Sequence, residues 1–326
     1  MQIIEKIKTT MSRYGIAIVL VFLIIGFSFA SPSFLTFSNL LNVLRQISPI
    51  GIAAVGMTMV IITGGIDLSV GSVVAVVGVI CSLLMTKLNL PVFLVIFIGL
   101  FIGLLVGILN AFFITKVNIP PFIFTLGLMT GLRGVGYILT RGMPVFGFTK
   151  EFDFLGKGYL FGIPVPVVIL FVVFGIGWVI VNETRLGRYM YAIGGNPEAT
   201  RLSGVSVHKS LFLIYIISGI LSSLAGLIIL SRLSSGQPSA GQDIAFDVIT
   251  AVVLGGISIT GGGGRFSGII FGVIILGILS NGMTLLNVYD YYQMVIKFFV
   301  LVTAMAFDQY TKRDKKIKVK KINIQV

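Results

Sequence analysis

Tyr191–Ser210, YAIGGNPEATRLSGVSVHKS, is the longest polar and charged passage lying between two hydrophobic runs that are each long enough to cross a bilayer. Its residues specify a short helix. Asn196 is an N-cap residue, Pro197 suits the first helical position, and Glu198 stands in the first turn, where the helix dipole favours an anion. Arg201 is close enough to Glu198 to pair across one turn, and Ser203-Gly204 supplies a C-terminal stop. About two turns of helix result, far too short to span. A short rigid helix on the face of a membrane protein suits the docking of a soluble partner. The plainer reading is a capped turn that tidies a loop between two spans.

Outward from this passage the chain is oil-like. Of 326 residues, 56% are hydrophobic and 11% are charged, where soluble domains carry about 25% charged residues. The mean hydropathy is +1.06. These values define an integral membrane protein. The net charge of +13 is concentrated in the two ends and the central loop, so it reads as a cytoplasmic-side bias and not as a nucleic-acid partner. Cys81 is the only cysteine and lies inside a hydrophobic run, so there is no disulfide framework. His208 is the only histidine, which excludes a histidine-built metal site and a histidine-based catalytic triad.

The hydrophobic runs predict an all-α polytopic protein with about ten transmembrane helices and both termini cytoplasmic. Residues 1–13 form a basic N-terminal segment, 14–307 the transmembrane domain with a cytoplasmic loop at 183–209, and 308–326 a tail with seven lysines and arginines. The first run, Tyr14–Ala30, ends in Ser28-Phe29-Ala30, which resembles a signal-peptidase site; an uncleaved first span fits the parity of the spans. Ser31–Asn42 reads as an outer loop, Ile47–Thr63 as the second span, Val73–Met85 as the third, Val92–Thr115 as the fourth and Ile119–Thr140 as the fifth. A mixed-charge outer loop, Arg141–Gly162, precedes the sixth span at Ile163–Asn182. Ser210–Ser231, Phe246–Ile259, Ile269–Leu286 and Tyr291–Phe307 complete the set, with an outer loop at Arg232–Asp243.

Few residues inside these runs could carry chemistry. Asp67, in GGIDLSVGS, stands at a span boundary, where a carboxylate could cap the next helix or meet a substrate hydroxyl. The glycine-rich passage Val252–Gly268 reads as a flexible break, because the pattern G-x-x-x-x-G-K-[ST] occurs nowhere in the chain. Gly64-Gly65-Ile66 is echoed in Gly255-Gly256-Ile257, an echo whose register does not fit an inverted five-plus-five repeat. Arg133 and Lys297 lie within snorkelling reach of span ends. Asn110 and Asn281 suit hydrogen bonding between helices, or the lining of a solute path. Gly99, Gly103 and Gly107 recur every four residues, as do Gly268 and Gly272, a spacing that lets helices approach closely in lipid.

In order, GGIDLSVGS, YAIGGNPEATRLSGVSVHKS, SRLSSGQPSAGQD, AVVLGGISITGGGGRFSG and SNGMTLLNVYDYYQMVIKFFVLVTA resemble the ribose-type permeases of ATP-binding-cassette importers, within the branched-chain-amino-acid/ribose permease superfamily. The resemblance runs from about Ser31 to Asp308. It implies a non-enzymatic, multi-pass subunit in the plasma membrane of a prokaryote. The subunit would form a homodimer, bind an ATP-binding subunit on its cytoplasmic face, and receive a monosaccharide from an extracytoplasmic binding protein. ATP and Mg would sit on the partner, with no cofactor or metal in this chain. Gly194, Gly195, Asn196, Pro197, Glu198, Ala199, Arg201 and Gly204 then correspond to a coupling helix. Asp67, Asn281, Gln237 and Asp247 are the implied residues of the sugar path or its gate. LSSGQPSAG and Tyr291-Tyr292 before Gln293 look closer to ribose than to galactose carriers. The sequence departs from ribose permeases at Ala245, where a glutamate is usual, so galactose, xylose or a nucleoside stay open as cargo. An ion-coupled secondary transporter is the alternative of another class; it would need intramembrane carboxylates, and Asp67 is nearly alone.

Overall fold

The computed structural model describes residues 2–322, with side chains described for residues 16–306. The basic side chains assigned above to 1–13 and 308–326 lie outside the described set. The described residues are mostly helical. Seven helices among the described residues are long and apolar enough to cross a membrane. They are α2 (Phe37–Ile62), α3 (Val70–Leu88), α4 (Val92–Thr115), α5 (Pro121–Thr140), α7 (Val165–Glu183), α10 (Val207–Leu233) and α12 (Gly268–Leu285). At either end stand α1 (Gln2–Ala30) and α13 (Asp290–Ile322). Local chemistry sets many boundaries. Thr36 caps α2 by accepting from Asn39 N, Pro121 opens α5, and left-handed Asn89 (φ 50°) closes α3.

Five of the shorter elements sit on two opposite faces. On one, α6 (Lys150–Lys157) and a two-stranded hairpin, β1 (Tyr159–Leu160) with β2 (Ile163–Pro164), occupy part of the expected mixed-charge outer loop and the first two residues of the expected sixth span. Phe161 (φ 50°) and Gly162 (φ 80°) make its tight turn. Phe152 buries α6 against the bundle, and Ser231 fastens it, accepting from Gly156 N at 2.7 Å and donating to Phe152 O at 2.6 Å. The guanidinium of Arg45, on α2, lies 4.9 Å from the centre of the Tyr159 ring. On the opposite face lie α8 (Arg185–Gly195) and α9 (Pro197–Leu202).

Further expectations change. The second span begins at Phe37 and not at Ile47, so part of the expected outer loop is helix. Arg185–Gly195 is helical, where only the Asn196 helix was expected. The eighth run is not a spanning helix. Its helix, α11 (Ile244–Leu254), has 11 residues and is only about 16 Å long. The chain before it, residues 234–243, expected as part of an outer loop, is non-helical and runs down beside α3. Gly236 abuts Gly78 and Ser82, and Gly241 abuts Gly71 and Val74. Burial of this chain against α3 suits the rule that irregular backbone at membrane depth must be covered by protein or line a cavity.

The core is built on α2, which is buried for most of its length and touches α7, α10, α11 and α12. Alongside it, α4 and α10 run antiparallel in direct backbone contact. A Cβ placed at Gly103 would lie 2.5 Å from Gly219 O, and one at Gly107 would lie 2.7 Å from Tyr215 O. The four-residue glycine spacing of α4 therefore serves close packing, which in lipid replaces the missing hydrophobic drive between helices. Cys81 is buried between α3 and α4, its Sγ 3.6 Å from Val95 O.

Candidate functional site

On the α8–α9 face, Thr184 caps α8 by accepting from Gly187 N, and Met190 and Ile193 are buried beneath it. Leu186, Met190 and Ile193 follow helical spacing, a signal present in the sequence. The turn to α9 has the expected chemistry. Asn196 Oδ1 accepts from Ala199 N at 3.0 Å, Pro197 is the first helical residue, and Gly204 (φ 83°) follows the Ser203 cap. Arg201 donates twice to Glu198, from Nη2 at 2.6 Å and from Nε at 3.1 Å. These bonds, and then the charge of Arg201, hold the Glu198 carboxyl below the usual carboxylate range. Gly195, Asn196, Pro197, Glu198, Ala199, Arg201 and Gly204 are exposed together, while Gly194 is half-buried. Leu202, an apolar residue outside the polar coupling motif, projects from the same helix at 77% exposure.

Gly194 rests on bare backbone. A Cβ there would lie 1.9 Å from Ile62 O, at the end of α2, and 2.3 Å from Gly262 N, in the loop between α11 and α12. Gly262 N donates to Ile62 O at 2.8 Å, and Tyr191 Oη donates to Gly264 O at 3.1 Å. The two helices that end here stop alike. Gly64 (φ 87°) N donates to Ile61 O, and Gly65 N donates to Val60 O. Gly256 (φ 82°) N donates to Val253 O, and Ile257 N donates to Val252 O. The Gly-Gly-Ile echo thus reflects two equivalent left-handed glycine stops, with the structural register one residue off the sequence register.

Just past the α2 stop, Asp67 is 1% exposed. It does not cap α3, whose N-cap residue is Ser69. Oδ1 accepts from Ser69 N at 3.0 Å and Ser69 Oγ at 2.5 Å, with Asn110 Nδ2 at 3.4 Å. Oδ2 accepts from Ser218 Oγ at 3.0 Å. The carboxylate therefore ties the start of α3 to α4 and α10. Thr125 of α5 adds a further link, accepting from Leu68 N and donating to Ile66 O.

The other candidates are dispersed. Asn281 pairs reciprocally with Asn39, each amide donating to the other at 2.9 Å. Gln237 is half-buried on the descending chain and donates to Ser235 Oγ at 2.8 Å. Asp247, on α11, forms a 2.9 Å ion pair with Lys297 of α13, so Lys297 is held inside the bundle and does not snorkel. This pair borders a cavity of about 200 Å³, shared with Gln46, Arg232 and Ser280. Arg232 Nη1 donates to Gln46 O at 3.4 Å. Of the four sugar-path candidates, Asp247 alone lines this cavity. Gln46, Arg232, Ser280 and Lys297 were missed because they converge from four helices with no local motif.

A bundle of long apolar helices, with Asp247 and Lys297 paired beside one small cavity and Asp67 buried among polar links, defines a polytopic membrane protein. The chain belongs to the family described as "Branched-chain amino acid transport system / permease component", which matches residues 39–305. It is 46% identical over 297 residues to the ribose import permease protein RbsC of Haemophilus influenzae, covering 90% of this chain and 92% of that one. The ribose import permease protein RbsC of Bacillus subtilis is 45% identical over 301 residues, covering 92% of this chain and 93% of that one. The L-arabinose transport system permease protein AraH of Escherichia coli is 39% identical over 307 residues, covering 93% and 92%. No solved structure matches.

Proposed function

We propose that this chain is the membrane-spanning permease subunit of an ATP-driven importer for ribose, in the plasma membrane of a bacterium. The observation that carries this reading is identity of 45–46% to ribose import permeases along about nine-tenths of the chain. The lower identity to the L-arabinose permease makes a second pentose the natural competitor. The partners are an ATP-binding subunit, an extracytoplasmic ribose-binding protein and a second copy of this chain. ATP and Mg belong to the ATP-binding subunit, and this chain breaks no bonds.

The α8–α9 face is the cytoplasmic one in this reading, and the exposed residues from Gly195 to Gly204 dock into the ATPase. Ten passes, counting α1, α13 and the descending chain with α11, bring both termini to that face. The course of α1 supports it: Ile16 lies near Gly256 and Phe27 lies against Gly282. The cavity beside Asp247 and Lys297 offers both charges and the Ser280 hydroxyl to a polyol on the way through. Opening of the bundle first to one side and then to the other would follow closure of the ATPase dimer.

The test is reconstitution of the permease with its ATPase and binding protein in liposomes, supplied with labelled ribose. Uptake should require ATP and should yield to excess unlabelled ribose before L-arabinose, galactose or xylose. Preferential uptake of any of those three would overturn ribose as the cargo.

A further inference from the structure

We infer that Gly194, Gly261 and Gly262 form a side-chain-free joint through which displacement of α9 is delivered to two helix breaks at once. The inference rests on the importer reading of the α8–α9 face and goes beyond it, by naming where the motion enters the bundle.

The contacts are unusually direct. Gly262 lies against Gly195, where a Cβ would stand 2.8 Å from the backbone nitrogen. Gly261 (φ 80°) lies against Gly64, where a Cβ would stand 2.9 Å from the backbone nitrogen, and 3.1 Å from Gly194 Cα. The Gly262 N–H fills the Ile62 carbonyl, one of the acceptors that an ending helix leaves open. Backbone meeting backbone leaves no rotamer to absorb a small shift, and close-packed interiors transmit strain. Motion of the α8–α9 corner must therefore move the α2 stop, the α11–α12 loop, or the bond between them.

Each break leads to a polar link inside the bundle. Three residues beyond Gly64, Asp67 joins α3, α4 and α10. About two turns before the other stop, Asp247 holds Lys297 at the cavity. A single input thus reaches both the helix hub and the charged cavity. Gly262 is a positioning residue here, since it touches neither solute nor nucleotide.

Two asparagine substitutions separate collision from backbone strain, because asparagine tolerates left-handed φ better than other side chains. Gly262→Asn drives a Cβ into Gly195. Gly256→Asn has the same hand (φ 82°) in the same loop but meets only Ile16 Cδ1, at 3.8 Å. In the full complex in nanodiscs, Gly262→Asn should co-purify with the ATPase and keep its unstimulated hydrolysis. Its stimulation by ribose-loaded binding protein should fall at least roughly fivefold. Gly256→Asn should be stimulated as the wild type is. Normal stimulation of Gly262→Asn, or an equal loss in Gly256→Asn, overturns the joint. Should Gly262→Asn fail to assemble, hydrogen exchange on the wild-type complex decides. Amides of 60–65 and 253–264 must change protection between the nucleotide-free and ATP-trapped states, and unchanged protection overturns the joint. Loss of ribose uptake by the wild-type complex would instead overturn the importer reading.

Discussion

Asn39 and Asn281 face each other inside the bundle with both amides engaged, and Asn39 also donates to Phe34 O at 2.8 Å. Replacing one leaves the other with unfilled positions away from water, which costs more than the net worth of a satisfied bond. Asn281→Leu should destabilise the protein by about 1–2 kcal/mol, and Asn39→Leu/Asn281→Leu by less than the sum of the two singles. Unfolding in detergent across the four-member cycle checks this, and strict additivity would contradict it. Glu198 behaves differently because it and Arg201 are exposed. Its lowered pKa makes the pair's contribution present above the ordinary carboxylate range and lost as pH falls through the lowered value. An exposed pair adds little, so Glu198→Gln should leave the melting temperature unchanged at pH 7. Its effect should appear in co-purification with the ATPase; a clear drop in melting temperature would recast the pair as a structural staple. This pair was readable because its partners are three residues apart. Asp247 and Lys297 were not, because 50 residues separate them and each looks like an isolated charge in an apolar run.

Among the elements, α4 and α10 touch through glycines, so side-chain volume added there has nowhere to go. Gly103→Val should destabilise the bundle by about 1–3 kcal/mol. Gly175→Ala, on α7 where a Cβ meets nothing within 4 Å, should be nearly silent. Thermal unfolding of the two variants checks the contrast, and equal effects would refute the packing account. The α9 helix was legible almost residue by residue, since caps, an initial proline and a terminal glycine act over a few positions. The α11 helix was not. Hydropathy marks which residues prefer an apolar surround, and both a full span and a half-helix fed by a buried strand of chain satisfy it. The helical status of α8 was legible in the Leu186, Met190, Ile193 spacing, which its polar neighbours obscured.

For the molecule as a whole, the apolar class follows from composition, while the arrangement that brings Ile62, Gly194 and Gly262 together follows only from how the helices stack. The importer reading predicts that purified permease alone, in liposomes with a ribose gradient and no ATPase, carries no ribose beyond the empty-liposome leak. Carriage driven by a sodium or proton gradient would favour an ion-coupled carrier instead. One more property follows from Cys81, the sole cysteine, closed in between α3 and α4. A thiol-reactive dye or spin label offered to the folded protein finds almost no native target. Cysteines introduced at chosen surface positions would therefore report distances during turnover against a nearly blank background, without first rebuilding the chain to remove its own sulfhydryl.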